Sequence, residues 1–244
     1  MTRDELPLLL SMLDPFLDSG QITEVVDFLK GGKEATVFRC RAGNHFVAAK
    51  VYRPRKYRNF RDDADYQNGR VILSSRARRA VKNRTHFGKE VHQGLWVAAE
   101  YETQKLLFHA NVSVPRPIAT SGDAILMEWL GDDQGPAPQL KDVHLPPPLI
   151  RPTFQSLLRD VETLLSLNRI HGDLSPFNVL FWNDRPWLID FPQAVDPRMN
   201  TNSFSLLQRD IDNLCRHFLS RYNYESNPMR IASELWSRFT RGHL

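Results

Sequence analysis

His171-Gly172-Asp173-Leu174-Ser175-Pro176-Phe177-Asn178-Val179-Leu180-Phe181-Trp182-Asn183-Asp184-Arg185-Pro186-Trp187-Leu188-Ile189-Asp190-Phe191-Pro192-Gln193 is the stretch from which this chain is best read. It opens as a polar loop, His171 to Asn178. Two short apolar runs follow, Val179 to Trp182 and Trp187 to Ile189, and Asn183-Asp184 between them has the chemistry of a hairpin turn. The second run brings Asp190 back beside the loop. Asp173, Asn178 and Asp190 are therefore expected to meet at one end of the hairpin. Two oxygen ligands at a fixed distance, with one further carboxylate, describe a magnesium–phosphate site.

This arrangement resembles the catalytic loop and metal loop of protein kinases, H-R-D-x-x-x-x-N followed by D-F-G. The resemblance implies that Asp173 accepts or orients the proton of the attacking hydroxyl and that Asn178 and Asp190 hold the metal. A polar loop and a hairpin occur in many folds, so the reading depends on further motifs falling in order.

Upstream, residues 21–30 read as a strand, followed by Gly31-Gly32-Lys33-Glu34-Ala35-Thr36-Val37-Phe38. A strand, a glycine turn and a second strand can lay backbone N–H groups over phosphates. The loop departs from G-x-G-x-x-G, and paired glycines also make ordinary hairpins. After a turn at Gly43-Asn44, Lys50 lies inside the apolar strand Phe46 to Tyr52. In isolation it reads as a snorkelling lysine. In this setting it resembles the lysine of V-A-I-K, which meets the α- and β-phosphates.

Residues 53–90 carry twelve Arg or Lys and four acids, a local charge of +8, which leaves −4 on the rest of a chain whose total is +4. The segment reads as a mobile insertion, either solvated or binding anions or RNA. From Gly94 to Phe108 a helix is predicted, with Trp96, Glu100, Thr103 and Leu107 on one face. A carboxylate on an apolar stripe needs a partner, and Lys50 is the natural one. Glu102 competes with Glu100 for that role. Ala124 to Gly131 reads as a buried strand where a kinase hinge lies, with Met127 at the adenine pocket and backbone groups of Glu128 and Leu130 reading the adenine edge.

After a Pro-rich loop, Phe154 to Asn168 forms an amphipathic helix whose core face is Phe154, Leu157, Leu158, Val161, Leu164 and Leu165. Fifty-four residues follow Asp190, and they contain no A-P-E motif. One helix is expected there, Asn202 to Tyr222. On it Asp210 either binds backbone N–H groups of the catalytic loop or is an exposed acid.

Composition agrees with a globular domain: 41% hydrophobic and 25% charged. Two cysteines, Cys40 and Cys215, make neither a disulfide framework nor a zinc motif, which points to a reducing, cytoplasmic setting. Leu6 to Leu17 is broken by Pro7, Asp14 and Pro15 and reads as a capping helix, not a signal peptide. No stretch has the length of a membrane span.

Together these residues resemble the RIO family of atypical protein kinases over about Gly31 to Tyr222. The resemblance rests on Gly32-Lys33-Glu34-Ala35 with Val37, the Lys50 strand, Phe60-Arg61-Asp62, Trp96-x-x-x-Glu100 and Pro115-Arg116-Pro117. It continues through Met127-Glu128, Pro138 to Val143, His171 to Ser175 and Ile189 to Gln193. It is nearer to the first RIO subfamily, since too few residues precede Gln21 for the winged helix of the second, and the compact length resembles bacterial members. It implies an α+β bilobal protein-kinase-like fold: a β-rich N-terminal lobe over 1–130 and a reduced helical C-terminal lobe over 131–244, without an activation segment. It further implies ATP with Mg²⁺ (or Mn²⁺), serine/threonine phosphorylation including autophosphorylation, ATP hydrolysis, and a link to ribosome maturation through RNA or particle contact at 53–90. Two other readings compete. A small-molecule kinase of the aminoglycoside type shares H-G-D-x-x-x-x-N but usually has a larger helical lobe. An ATP-switched scaffold on ribosomal RNA would use the same site.

Overall fold

The computed structural model describes residues 5–29, 34–53 and 86–244. Gly31, Gly32 and Lys33, and the basic insertion from 54 to 85, lie outside the described residues. The chain divides into two compact units. The described part of the first comprises residues 5–29, 34–53, 86–105 and Arg116–Trp129; that of the second comprises Leu106–Pro115 and Leu130–Leu244. The division at Trp129/Leu130 falls one residue before the expected lobe boundary. Residues 106–115, expected in the N-terminal lobe, group with the second unit because Leu107, Val112 and Val114 are buried in its core.

The first unit is an antiparallel sheet of β1 (Glu24–Phe28), β2 (Ala35–Ala42), β3 (His45–Tyr52), β4 (Pro117–Ser121) and β5 (Ala124–Glu128), in the order β1-β2-β3-β5-β4. Strand β1 is shorter than the predicted 21–30. Along β2 the side chains alternate: Thr36, Phe38 and Cys40 are buried on one face, while Val37 shares the opposite face with Lys50, its partner across the ladder. Helices α1 (Glu5–Ser11) and α2 (Asp14–Asp18) cover the first face, packing Leu9, Leu13 and Phe16 against Phe38, Val47, Ala49 and Leu126. One capping helix was expected there. The chain forms two because Pro15 lacks an N–H and its ring would collide with the carbonyl four residues back.

The other face receives α3 (His86–His109), whose Trp96 and Val97 pack on Tyr52 and Ile125. Trp96, Glu100, Thr103 and Leu107 are all buried, as the helical phase required. The helix begins eight residues before Gly94, inside the segment read as a basic loop.

The second unit contains α4 (Pro147–Ser166), the hairpin β6 (Val179–Trp182) and β7 (Arg185–Leu188), α5 (Ser203–Tyr222) and α6 (Pro228–Thr240). Its core joins Phe154, Leu157, Val161 and Leu165 of α4 to Leu207, Ile211, Leu214 and Phe218 of α5. Helix α4 starts earlier than predicted because Pro147 and Pro148 occupy its first turn, where proline's missing N–H has no intrahelical partner to lose. Helix α6, which the sequence reading lacked, packs Trp236 against Phe204 at 5.8 Å between ring centroids. Among the described residues no helix is long and apolar enough to cross a membrane.

Candidate active site

The first unit carries the predicted lysine. Lys50 lies between Val37 on β2 and Ile125 on β5, 9% exposed. Its Nζ donates to Glu100 Oε1 at 2.6 Å and stands 5.0 Å from the Tyr52 ring centroid. Glu100 is 3% exposed. Glu102 faces elsewhere and pairs with Lys105 at 3.1 Å, one turn along the helix. The competition between the two glutamates is thus resolved for Glu100. A buried ammonium held by one carboxylate on a rigid strand is a fixed positive charge of the kind that meets an anionic ligand.

The predicted hinge residues lie at the end of β5 and just beyond it. Met127 is the penultimate residue of β5, with its Sδ 3.6 Å from Gln104 Nε2. Glu128 N–H, however, donates to Arg116 O at 2.8 Å, and its Oε2 accepts from Arg116 N–H at 3.0 Å. That reciprocal pair closes the β4–β5 end, so the N–H of Glu128 is committed to the sheet and does not read a base edge. The Leu130 carbonyl accepts from Ala137 N–H at 2.8 Å.

The second unit carries the loops. The Asn183-Asp184 turn has φ of +51° and +58°, the left-handed pair that two-residue hairpins favour. The ladder runs from Trp182↔Arg185 to Val179↔Leu188, and one bond further Ile189 N–H donates to Asn178 O at 3.0 Å. The hairpin therefore fixes Asn178 against the residue preceding Asp190. Asn178 Nδ2 donates to Asp173 O at 2.8 Å and lies 3.4 Å from Asp173 Oδ2. This turns its amide oxygen to the opposite side. Asp190 sits at φ +72°, a conformation that aspartate tolerates better than most residues. Burial, and next the charge of Asp190, push the Asp173 carboxyl above its usual range; Arg209 and Asn178 oppose them.

Four supports hold this arrangement. Gly172 has φ +79°, and a Cβ there would meet Gln193 O at 2.6 Å. No side chain fits, so the second position of the His-x-Asp loop must be glycine. The returning chain pairs Ile170 with Val195 through two 3.0 Å bonds and buries Phe191 against His171. His171 Nε2 lies 3.1 Å from Ile189 O, so that nitrogen carries the proton and donates.

The third support is α5. Asp210 accepts from Gly172 N–H at 2.8 Å and Leu174 N–H at 2.9 Å, Asn213 Nδ2 donates to Leu174 O at 2.9 Å, and Arg209 donates to Gly172 O. Of its two predicted roles Asp210 takes the buried one. Burial pushes its carboxyl up to about 7 against those donors. Arg209 and Asn213 are functional residues that the sequence reading missed; their signal was their spacing around Asp210 on one helix face.

A segment flagged only by resemblance, Pro138 to Val143, proves to be a splint. Phe181 N–H donates to Pro138 O at 2.9 Å, Gln139 Nε2 to Phe177 O at 2.7 Å, and Lys141 N–H to Pro176 O at 3.3 Å.

Asn178 and Asp190 offer only hard oxygen ligands beside a second carboxylate. That set fits Mg²⁺, which takes one or two protein carboxylates and leaves the rest of its shell to phosphates and water.

Comparison with known proteins agrees with this geometry. The family model described as RIO domain matches residues 36–231. The RIO-type serine/threonine-protein kinase Rio1 of Thermoplasma acidophilum is 32% identical over 195 residues, covering 80% of this chain and 96% of the relative. Serine/threonine-protein kinase RIO1 of Caenorhabditis elegans is 26% identical over 208 residues, 83% of this chain but 38% of the longer nematode protein. Among solved structures, the Rio2 kinase–ADP/Mg²⁺–phosphoaspartate complex of Chaetomium thermophilum superposes with a TM-score of 0.68 at 21% identity, over 91% of this chain and 64% of that one. That likeness speaks for the fold.

Proposed function

This chain belongs to the RIO family of atypical protein kinases, and from that premise we propose that it is a Mg²⁺-dependent enzyme moving the γ-phosphoryl group of ATP to a serine or threonine hydroxyl, to water, or to both. The observation that carries the proposal is the bond from Ile189 N–H to Asn178 O, which ties the residue before Asp190 to Asn178; we assign those two side chains to the metal.

Bound Mg²⁺ would neutralise the charge of the triphosphate, with Asn178 and Asp190 holding it; Mn²⁺ suits the same ligands. Lys50, fixed by Glu100, is assigned to meeting the phosphates. Asp173 orients the acceptor hydroxyl and takes its proton, and its raised affinity for protons favours that step. Val37 and Met127 line the adenine side. The carbonyl of Glu128 and the N–H of Leu130 are the backbone groups we assign to the base edge. From the sequence pattern alone, Gly31, Gly32, Lys33 and Glu34 are assigned to covering the phosphates. The acceptor is a protein, with the chain itself the first candidate, and residues 53–90 supply both phosphosites and a cationic contact for ribosomal RNA in a cytoplasmic setting.

The decisive experiment incubates the protein with γ-labelled ATP and Mg²⁺ and follows the label. Label on serine or threonine supports the kinase reading, and free phosphate supports hydrolysis. Absence of both would overturn the proposal. The phosphoaspartate of the Rio2 complex favours a second reading, in which a loop carboxylate is itself phosphorylated during hydrolysis. Label that hydroxylamine releases would mark that route.

A further inference from the structure

Most large apolar side chains of the second unit are buried, but Phe177 is 58% exposed. It stands inside the catalytic loop, between Asp173 and the metal ligand Asn178. Its main chain is held on both sides. Gln139 Nε2 takes its carbonyl, Lys141 N–H takes the carbonyl of Pro176, and Asn178 N–H closes a turn onto Ser175 O at 2.9 Å. Above the ring lies Lys141, with Nζ 5.3 Å from the centroid and its charge paired to Asp142 at 2.6 Å. The ring is therefore presented on a rigid backbone with one cationic neighbour, and solvent meets the rest of it. An aromatic face kept outward by three main-chain bonds is a contact surface whose partner is another molecule.

We propose that Phe177, with Lys141 on its flank, is a positioning residue for the acceptor: it receives an apolar side chain of the polypeptide whose hydroxyl is presented to Asp173. The proposal rests on the kinase reading above and deepens it. A polypeptide suits the position better than a small-molecule acceptor because of reach. The Ser175–Asn178 turn keeps Phe177 next to the residue that touches Asp173, and extended chain covers about 3.3–3.6 Å per residue. A side chain on the Phe177 ring thus belongs to a residue about two or three positions from the acceptor serine or threonine. The paired charge of Lys141 and Asp142 gives no net attraction for a charged partner, so the contact selects for apolar surface.

The test uses the full chain with labelled ATP, Mg²⁺ and a degenerate peptide library fixed at a central serine or threonine. Wild-type protein is expected to select leucine, isoleucine, phenylalanine or methionine at one position two or three residues from the acceptor. Phe177→Ala should erase that selection and raise the KM for the selected peptide about tenfold, with the KM for ATP unmoved; Phe177→Tyr should retain it. Met229→Ala, a 51% exposed apolar residue of α6, is the control and should change nothing. A flat library profile with wild-type protein overturns the proposal, and so does selection that survives in Phe177→Ala. A protein that hydrolyses ATP but labels no peptide overturns this inference alone. A protein that neither hydrolyses nor transfers overturns the functional reading with it.

Discussion

Lys50 and the catalytic loop are both held still, but by different means. In the first unit, a side chain is held through side chains: the Lys50 ammonium lies against Glu100, fifty residues apart and 2.6 Å in space, and over the Tyr52 ring. In the second unit, the loop from Gly172 to Asn178 is held mostly through its backbone, by Asp210, Asn213, Arg209, Gln139 and the hairpin ladder. An ion pair between a strand and a helix is a contact that a helix shift can break. A loop bonded at many main-chain points is a scaffold that changes only if the helix beneath it unfolds. The first unit is therefore where an on–off adjustment costs least, and the second is where geometry is kept.

The sharpest way to break the comparison is at the metal. Asp190→Ala removes a proposed metal ligand and leaves the Ile189–Asn178 main-chain bond in place, so the scaffold survives without that carboxylate. Phosphoryl transfer should fall to background, because the metal supplies most of the charge stabilisation in this chemistry. Asn178→Ala should be milder. Full activity of Asp190→Ala at ordinary Mg²⁺, read with labelled ATP, would remove this assignment.

Asp173→Asn keeps the shape and the hydrogen bonding of the loop but removes the base. Turnover should drop by roughly 10²–10⁴, with nucleotide affinity held within a few-fold by calorimetry. If nucleotide binding is lost instead, Asp173 belongs to the scaffold and not to the chemistry.

The ion pair of the first unit should behave as a single device. Lys50→Met and Glu100→Gln should each cost roughly 10- to 100-fold, the value of one charge-assisted contact of about 1.5–3 kcal/mol. The double variant should cost little more than either single one. Additive losses in kcat/KM would show that Glu100 acts on something besides Lys50.

Much of this was legible from residue types alone, and the reasons are local. Asn183-Asp184 announces a left-handed turn, and once the turn is known the ladder must deliver Asp190 beside Asn178. Helical phase puts Glu100 under Trp96, but Glu102 is excluded only by seeing it paired with Lys105. What was illegible depends on tertiary partners. Arg209 and Asn213 read as ordinary polar residues of a surface helix until the loop carbonyls they serve are in place. Gln139 looks like any loop amide. Which backbone group of Glu128 is committed to the sheet is known only once Arg116 is seen across the β4–β5 end. The beginning of α3 lies in a basic stretch whose charge argues for a loop, and the apolar residues 106–115 cannot reveal which core they join.

The smallest expected effect lies behind the second unit's hairpin and concerns pH. Asp160 on α4 is 8% exposed; it accepts from the N–H of Ser113, whose own carbonyl accepts from Leu188 at 2.7 Å, two residues before Asp190. Its Oδ2 finds no partner among the described residues. Burial is the main cause that pushes this carboxyl up to about 6. The folded protein therefore keeps the proton over a range in which the unfolded chain has released it. Stability should be greatest below about pH 4, fall as pH rises through about 6, and be level above, a total change of about 3 kcal/mol from this group. Asp160→Asn can still accept from Ser113 but never charges. Urea unfolding across pH 4–8 should show the variant gaining on wild type between pH 4 and 6, on top of a constant loss from the unmet donors of the new amide. Phosphoryl transfer at pH 7.5 should change less than twofold, because the main-chain bonds of the loop do not pass through Asp160. A stability difference that does not vary with pH would mean that water reaches this carboxylate and that it is ionised in the folded protein.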